Sequence, residues 1–505
     1  MLRNIINKNN KFATIVNHQG DYFSIPFFET KSKFFGYFLR YDLEKEPIRV
    51  LTIYVDFDVK KVFEQRNKIV LFSDDKYIDF ELDNGLRINH NLEYLDIYLD
   101  FMSRYNFEPF GKELKIKDHS FEFNFNKKLV VKGEISKVEE IGWEKLIWDF
   151  DKKRGSEINE YWMYKVRTFE KNFYINVYQV IDENTYLINR ENIKPNVPDI
   201  SDVDYALSKF FVKYKGTFLP FAGFWWFDQF WIRDFAYSFK AFRNKEMLKT
   251  VANEIISRGK LLNRIPETET LSFDGPLLIA KYCIEYGLEK EAKEIVDLFK
   301  NYTIDEELII PEKVSWTDTK SRDAIEIHAL WYEVNRMLFN KYSQEDIIKK
   351  VEEKMKKNFD YNIILAANFL PYLDVVFLKY LDYIIENYSI SNERFFAITT
   401  ENVNSKNYIH LHTGENPESY HSGDAWLFLT NYFGLLIKKL MNKNKIDSHY
   451  LKYLEKIQNL NEKFWKDGVI FSLPELTDSS FEPKGSLMQL WSVATWKMLL
   501  YGLYD

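Results

Sequence analysis

Up to about residue 190, apolar and polar side chains alternate one by one. Leu95, Ile97, Leu99 and Phe101 interleave with Asp96, Tyr98 and Asp100; Phe121, Phe123 and Phe125 do so with Glu122 and Asn124; Phe173, Ile175 and Val177 repeat the pattern. Successive side chains of a strand point to opposite faces, so a period of two marks antiparallel strands with one buried face. Many such strands, with few convincing helices, predict a β-sandwich over residues 1–195. The stretch 192–199, with Pro195 and Pro198 among polar neighbours, predicts a linker.

From residue 200 the period becomes helical. Twelve helices are expected, near 201–215, 232–243, 245–259, 274–287, 289–301, 321–341, 343–358, 363–370, 373–388, 423–442, 448–465 and 485–504. The odd members are amphipathic, with stripes such as Leu248, Val251 and Ile255, or Ile347, Val351 and Met355, against Lys and Glu. The even members are apolar nearly all round, as in Leu277-Leu278-Ile279-Ala280 and Trp426-Leu427-Phe428-Leu429. A helix apolar on every side is buried on every side. Alternating outer and inner helices predict a double ring, an (α/α)6 toroid over 200–505. The chain is thus expected to be multi-domain, an N-terminal antiparallel β-sandwich followed by this toroid.

In such a ring the loops leading into the inner helices emerge on one face. The unusual sequences sit in those loops: Phe224–Asp234, Asn263–Gly275, Ser315–Asp318, Glu418–Trp426 and Pro474–Thr477. Five polar-aromatic loops on one rim predict a pocket. Two of them carry isolated acids, Asp318 in Trp316-Thr317-Asp318 and Glu475 in Leu473-Pro474-Glu475-Leu476. Two carboxyls on separate loops of a wide ring suit glycosidic-bond hydrolysis, where one protonates the leaving oxygen and the other activates water. The plainer alternatives are a helix N-cap for Asp318 and a solvated loop acid for Glu475, with Asp478 and Glu482 as nearby rivals.

Composition narrows the classes. The 505 residues carry a net charge of −7 without a basic stripe, which argues against a nucleic-acid partner. No apolar run is long enough to span a membrane. The N-terminal Met1–Asn7 lacks a signal-peptide core, and the single cysteine, Cys283, excludes an internal disulfide; a cytoplasmic protein is expected. No phosphate loop or metal-ligand spacing is visible, so no cofactor or metal is expected.

The residues that suggest sugar chemistry also carry a resemblance. Trp231-Ile232-Arg233-Asp234, Trp316-Thr317-Asp318, Ile325-Glu326-Ile327-His328-Ala329-Leu330-Trp331-Tyr332, Tyr420-His421-Ser422-Gly423-Asp424-Ala425-Trp426, Pro474-Glu475-Leu476-Thr477-Asp478 and Gln489-Leu490-Trp491-Ser492-Val493-Ala494 follow one another in this order. Together they resemble the amylo-α-1,6-glucosidase part of glycogen debranching enzymes and, more distantly, glucoamylase-like glycosidases, over roughly 215–505. Thr317 stands where the family has Met, Phe235 where Thr is common, and Leu427-Phe428 where Pro-Trp is usual. The transferase half of the large debranching enzymes has no visible counterpart.

The resemblance implies an inverting α-glucosidase acting on α-1,6 branch points, with Asp318 as general acid and Glu475 as general base. It implies that Trp226, Asp228, Trp231, Arg233, Asp234, Trp316, Tyr420, His421, Asp424 and Trp426 contact substrate. As a general acid, Asp318 is expected to have a raised pKa, with desolvation supplied by Trp316. Glu326 is read as a buried helix acid paired near Arg322. Other readings are an exo-glycosidase on trehalose, isomaltose or a glucosylated metabolite, a catalytically silent carbohydrate-binding protein, or a sugar isomerase on the same toroid.

Overall fold

The computed structural model describes residues 3–5, 10–27, 30–40, 47–65, 67–103, 112–117, 120–125, 129–135, 137–181, 184–187, 201–266, 270–318 and 324–504. The expected linker at 192–199 and the Arg322 region lie outside them. Two compact units emerge: Met1–Tyr214 with Lys466–Phe471, and Lys215–Trp465 with Ser472–Asp505.

The first unit is built from two sheets. One runs Arg3–Ile5, Lys61–Gln65, Lys68–Phe72, Tyr77–Leu82, Leu86–His90, Asn172–Ile181, Leu129–Glu134, Ser120–Phe125, Lys112–Lys117, with Asn184–Leu187 also on Asn172–Ile181. The other runs Val138–Ile147, Glu160–Thr168, Leu95–Ser103, Ile48–Thr52, Gly36–Leu39, Tyr22–Pro26, Asn10–Val16 and, in parallel, Gly468–Val469. Phe173, Ile175 and Val177 are buried, as their alternation predicts. The sheets touch through rings such as Phe23 and Phe80, whose centroids are 4.4 Å apart.

The helix expected over 201–215 is shorter. Helix α1 is Asp202–Ser208, capped by Ser201, and the chain then turns into the strand Phe211–Tyr214. Phe211 and Val212 are β-formers, and Tyr214 keeps their alternation; the helical stripe was only the front half of this segment. Its fully buried successor Lys209 donates to Glu64 at 2.8 Å, which ties α1 into the first unit.

Besides α1 the first unit holds one short helix, Asp149–Lys153, and the second unit is built from α2 Ile232–Ser238, α3 Lys245–Arg258, α4 Asp274–Glu285, α5 Glu289–Asp297, α6 Ile325–Phe339, α7 Gln344–Lys357, α8 Ile363–Phe369, α9 Asp374–Asn387, α10 Leu427–Asn442, α11 Leu451–Lys466 and α12 Leu490–Tyr501. Each even helix packs on the next, from α2 through α4, α6, α8 and α10 to α12, and α12 returns to α2. This closed inner ring is the predicted toroid. The odd helices bury one stripe, for example Ile347, Val351 and Met355 on α7, whereas α8 is buried at every position. Gly434 lets α10 approach closely: a Cβ there would meet Ile457 of α11 at 3.3 Å and Leu499 of α12 at 3.4 Å.

Candidate active site

Three inner helices start the same way. Trp231, Trp426 and Gln489 are extended, make no side-chain cap, and lead straight into α2, α10 and α12. Each belongs to a two-residue strand: Phe230–Trp231 pairs with Arg264–Ile265, Ala425–Trp426 with Leu476–Thr477, and Met488–Gln489 with Gly223–Phe224. A helix start leaves backbone N–H groups unsatisfied. Here the first is taken by a neighbouring rim loop: Ile232 N–H donates to Asn263 O, Leu427 N–H to Glu475 O, and Leu490 N–H to Ala222 O, at 3.0, 3.1 and 2.8 Å. The rim loops are thereby fixed to the rigid ring.

Arg233, buried in the first turn of α2, joins two acids. Its Nη1 donates to Asp318 Oδ2 at 3.3 Å, and its Nε lies 3.2 Å from Asp274 Oδ2. Asp274 also accepts from Ser272 Oγ at 2.7 Å and from Tyr237 Oη at 3.2 Å. Gly275 makes this packing possible, since a Cβ would stand 3.2 Å from Arg233 N. On its other oxygen, Asp318 has His421 Nε2 at 3.4 Å. Its side chain keeps 37% of its surface exposed.

The expectation for Asp318 needs correction. Burial pushes its carboxyl up, but His421 and the Arg233 guanidinium outweigh burial and hold it below the ordinary aspartate range. The helix-cap alternative fails too. Helix α6 begins only at Ile325, whose N–H donates to Asp360 Oδ2 at 3.1 Å.

Glu475 has the opposite surroundings. It is 2% exposed, so it is no solvated loop acid. The Tyr420 hydroxyl donates to Oε1, and Ser486 N–H donates to Oε2 at 3.0 Å. Burial pushes its carboxyl up to about 7; Tyr420 and Ser486 oppose that, and the negative charge of Asp234 adds to it. Gly485, at φ +63°, leaves room: a Cβ there would stand 2.5 Å from Glu475 Oε2. Asp234 is buried, accepts from Gln489 Nε2 at 2.8 Å, and is likewise pushed up to about 7 by burial.

The rivals are committed elsewhere. Asp478 accepts from His412 N–H at 2.8 Å and Ser480 N–H at 2.9 Å, and Glu482 pairs with Lys463 at 3.2 Å. Asp424 also serves the loop rather than the two acids: it accepts from Ser419 Oγ at 2.9 Å and lies 2.8 Å from His412 Nδ1.

Two of the residues expected to contact sugar are buried and pack under the rim. Trp316 and Trp426 are each 1% exposed. Trp426 stacks on the His421 ring at 4.9 Å and 9°, and its Nε1 donates to Tyr420 O at 2.8 Å. Trp316 meets His421 edge-on at 5.5 Å and donates to Asn362 Oδ1 at 3.0 Å. Beneath them Phe428 stacks on Trp491 at 4.2 Å. Aromatic pairs of this kind contribute about 0.5–1.5 kcal/mol each beyond burial, so this floor fixes the histidine beside Asp318.

Trp226 and Trp231 are only half-buried. Trp231 packs on Phe227 at 5.7 Å and has the Arg264 guanidinium 5.3 Å from its ring. Asp228 is fully buried next to Gln229, which donates to it at 3.2 Å. Sequence reasoning missed Asp274, Ser486, Gly485 and Gln489 as parts of the site. Asp274 lies in the loop Asn263–Gly275 and Gln489 opens the motif Gln489–Ala494, but Gly485 and Ser486 fall in the stretch expected to be helical and gave no signal.

Among the described residues no group of three His, Cys, Asp or Glu side chains could hold a metal ion, and no helix is long and apolar enough to cross a membrane. No curated protein sequence matches the chain. A bacterial glucoamylase solved with acarbose superposes at TM-score 0.50 and 10% identity, covering 98% of this chain and 94% of that one. A family 76 glycoside hydrolase from a bovine Bacteroides thetaiotaomicron strain gives TM-score 0.36 at 10% identity, over 78% and 98% of the two chains. The family model described as amylo-alpha-1,6-glucosidase matches residues 396–497. Residues 396–497 are thus similar to the amylo-alpha-1,6-glucosidase family model, and the fold as a whole is similar to that of a bacterial glucoamylase.

Proposed function

We propose that this protein is a glycoside hydrolase that releases glucose from α-1,6 branch points of an α-glucan, with inversion, using Asp318 and Glu475 as its acid and base. The observation that carries the reading is the contrast between two rim carboxyls of one unit. One is held ionised by Arg233 and His421, and the other is kept near pH 7 by burial. Pairs of acids whose environments push their pKa values apart are what acid–base catalysis at neutral pH requires. The match of residues 396–497 supports the debranching type, and the glucoamylase-like fold supports an α-glucan substrate.

In the reaction the acid gives its proton to the glycosidic oxygen as the C1–O bond breaks. Water attacks C1 from the opposite face and passes a proton to the base. The family resemblance gives the acid role to Asp318. The pKa directions favour a second assignment, in which Glu475 holds the proton in the resting site and Asp318 is the base. Both assignments use the same two residues. Arg233 and Asp234 are suited to grip sugar hydroxyls, as a buried donor and a buried acceptor.

The test is glucose release from maltosaccharides, isomaltosaccharides, trehalose and branched limit dextrin. The debranching reading expects the highest kcat/KM on the branched dextrin. A preference for trehalose or isomaltose moves the substrate to a small sugar, and no release from any member refutes hydrolysis.

A further inference from the structure

The first unit carries a surface that the proposed chemistry does not use. Strand Val138–Ile147 ends one sheet, and its neighbour is Glu160–Thr168. The register sets Trp143 opposite Tyr164, Lys145 opposite Trp162 and Ile147 opposite Glu160, which puts all six on one face. Trp143 is 49% exposed, Trp162 54% and Ile147 55%. Trp143 stands edge-on to Tyr164 at 5.2 Å. Trp143 and Trp162 are diagonal neighbours, at a spacing of about 7–8 Å. Soluble proteins rarely leave two large indoles side by side in water without a use for them.

We propose that Trp143 and Trp162 form a non-catalytic docking platform for the neutral α-glucan chain whose ends the toroid would hydrolyse; the ligand's identity rests on the function proposed above. Indole rings suit the apolar C–H face of a pyranose, and sugar hydroxyls at the ring edges need donors and acceptors. The platform supplies both, from a pair already neutralised: Lys145 Nζ lies 2.5 Å from Glu160 Oε1. That pairing leaves no cation excess for an anionic lipid surface or nucleic acid. A second copy adding by strand pairing is disfavoured by a bulge between Glu140 and Gly142, with Gly142 at φ +104°. A bulge breaks the regular ladder that an added strand would extend.

The experiment is affinity electrophoresis of the full-length protein in gels containing glycogen, comparing wild type, the Trp143→Ala/Trp162→Ala variant and the Trp143→Tyr/Trp162→Tyr variant. Wild type should be retarded, the alanine variant should bind roughly ten-fold more weakly, and the tyrosine variant should keep most of the binding, because it keeps two stacking rings. Glucose release from a short glucoside reads the toroid separately and should be equal in all three proteins. An unretarded wild type, or equal retardation of wild type and the alanine variant, overturns the platform. So does light scattering that shows wild type as a dimer and the alanine variant as a monomer, which would make the face a self-association surface. Failure of the hydrolysis reading appears instead as absent glucose release by wild type, whatever the gels show.

Discussion

Asp318 and Glu475 sit on the same rim, and each is anchored beside an inner helix, yet their surroundings oppose each other. Asp318 keeps part of its surface in water and faces a guanidinium and an imidazole. Glu475 is closed off and, among the described residues, receives a phenol hydroxyl and one backbone N–H. Burial disfavours charge at both, but only Asp318 has cationic neighbours strong enough to reverse it. Chemical identity therefore says little about which acid holds a proton. The neighbouring loops decide it, and those loops are far apart in sequence.

The comparison breaks most visibly when either acid is neutralised. Asp318→Asn and Glu475→Gln should each lower kcat by about two to four powers of ten with substrate binding kept, in steady-state assays on branched dextrin. Azide should preferentially rescue whichever variant lacks the base. A near-normal turnover for either variant removes that residue from the mechanism.

A smaller loss is expected from Gly485→Ala. The added Cβ would collide with the Glu475 carboxylate and the residue would keep a strained positive φ. We expect kcat to fall by roughly ten- to a hundred-fold while Asp318 keeps its environment, with circular dichroism unchanged.

Tyr420→Phe sharpens the assignment. The Tyr420 hydroxyl favours ionised Glu475, so its loss should move that group's titration above about 7. If Glu475 is the base, the acidic limb of the pH–kcat/KM profile moves up and activity falls most at low pH. If Glu475 is the acid, the alkaline limb moves up. A profile that does not move refutes the phenol's role. His421→Phe should act on the other limb, raising the Asp318 titration, because a group that lowers it is removed.

The smallest effect concerns stability. The folded-state pKa of Asp234 is about 7, above the ordinary aspartate value of about 3.9. The folded state then binds more protons between those values, so this contribution is full at the acid end, falls as pH rises through the window, and levels off above about 7. Asp234→Asn should remove on the order of a few kcal/mol at most of that slope, seen as a flatter melting temperature between pH 5 and 8. A slope equal to wild type's contradicts the shift.

Much of this was legible in the sequence because periodicity reports burial directly. The all-apolar runs of α4, α8 and α10 are inner helices, and the rim loops fall where the alternation places them. Helix α1 was overextended because the stripe of Asp202–Ser208 runs without a breaker into β-forming residues. The aromatic loops were harder to read. Trp316 and Trp426 look the same in sequence as Trp226 and Trp231, yet the first pair is buried under His421 and the second is half in water. The pKa order of the two acids could not be read at all, because Arg233, His421, Tyr420 and Ser486 reach them only through the fold.

The most direct test of the two-acid account is the anomeric form of the first glucose released from an α-linked branched dextrin, followed by proton NMR before mutarotation. A base that activates water on the face opposite the leaving group yields β-glucose first. Initial release of α-glucose would contradict the account, since it requires a covalent intermediate and a different use of Glu475 and Asp318.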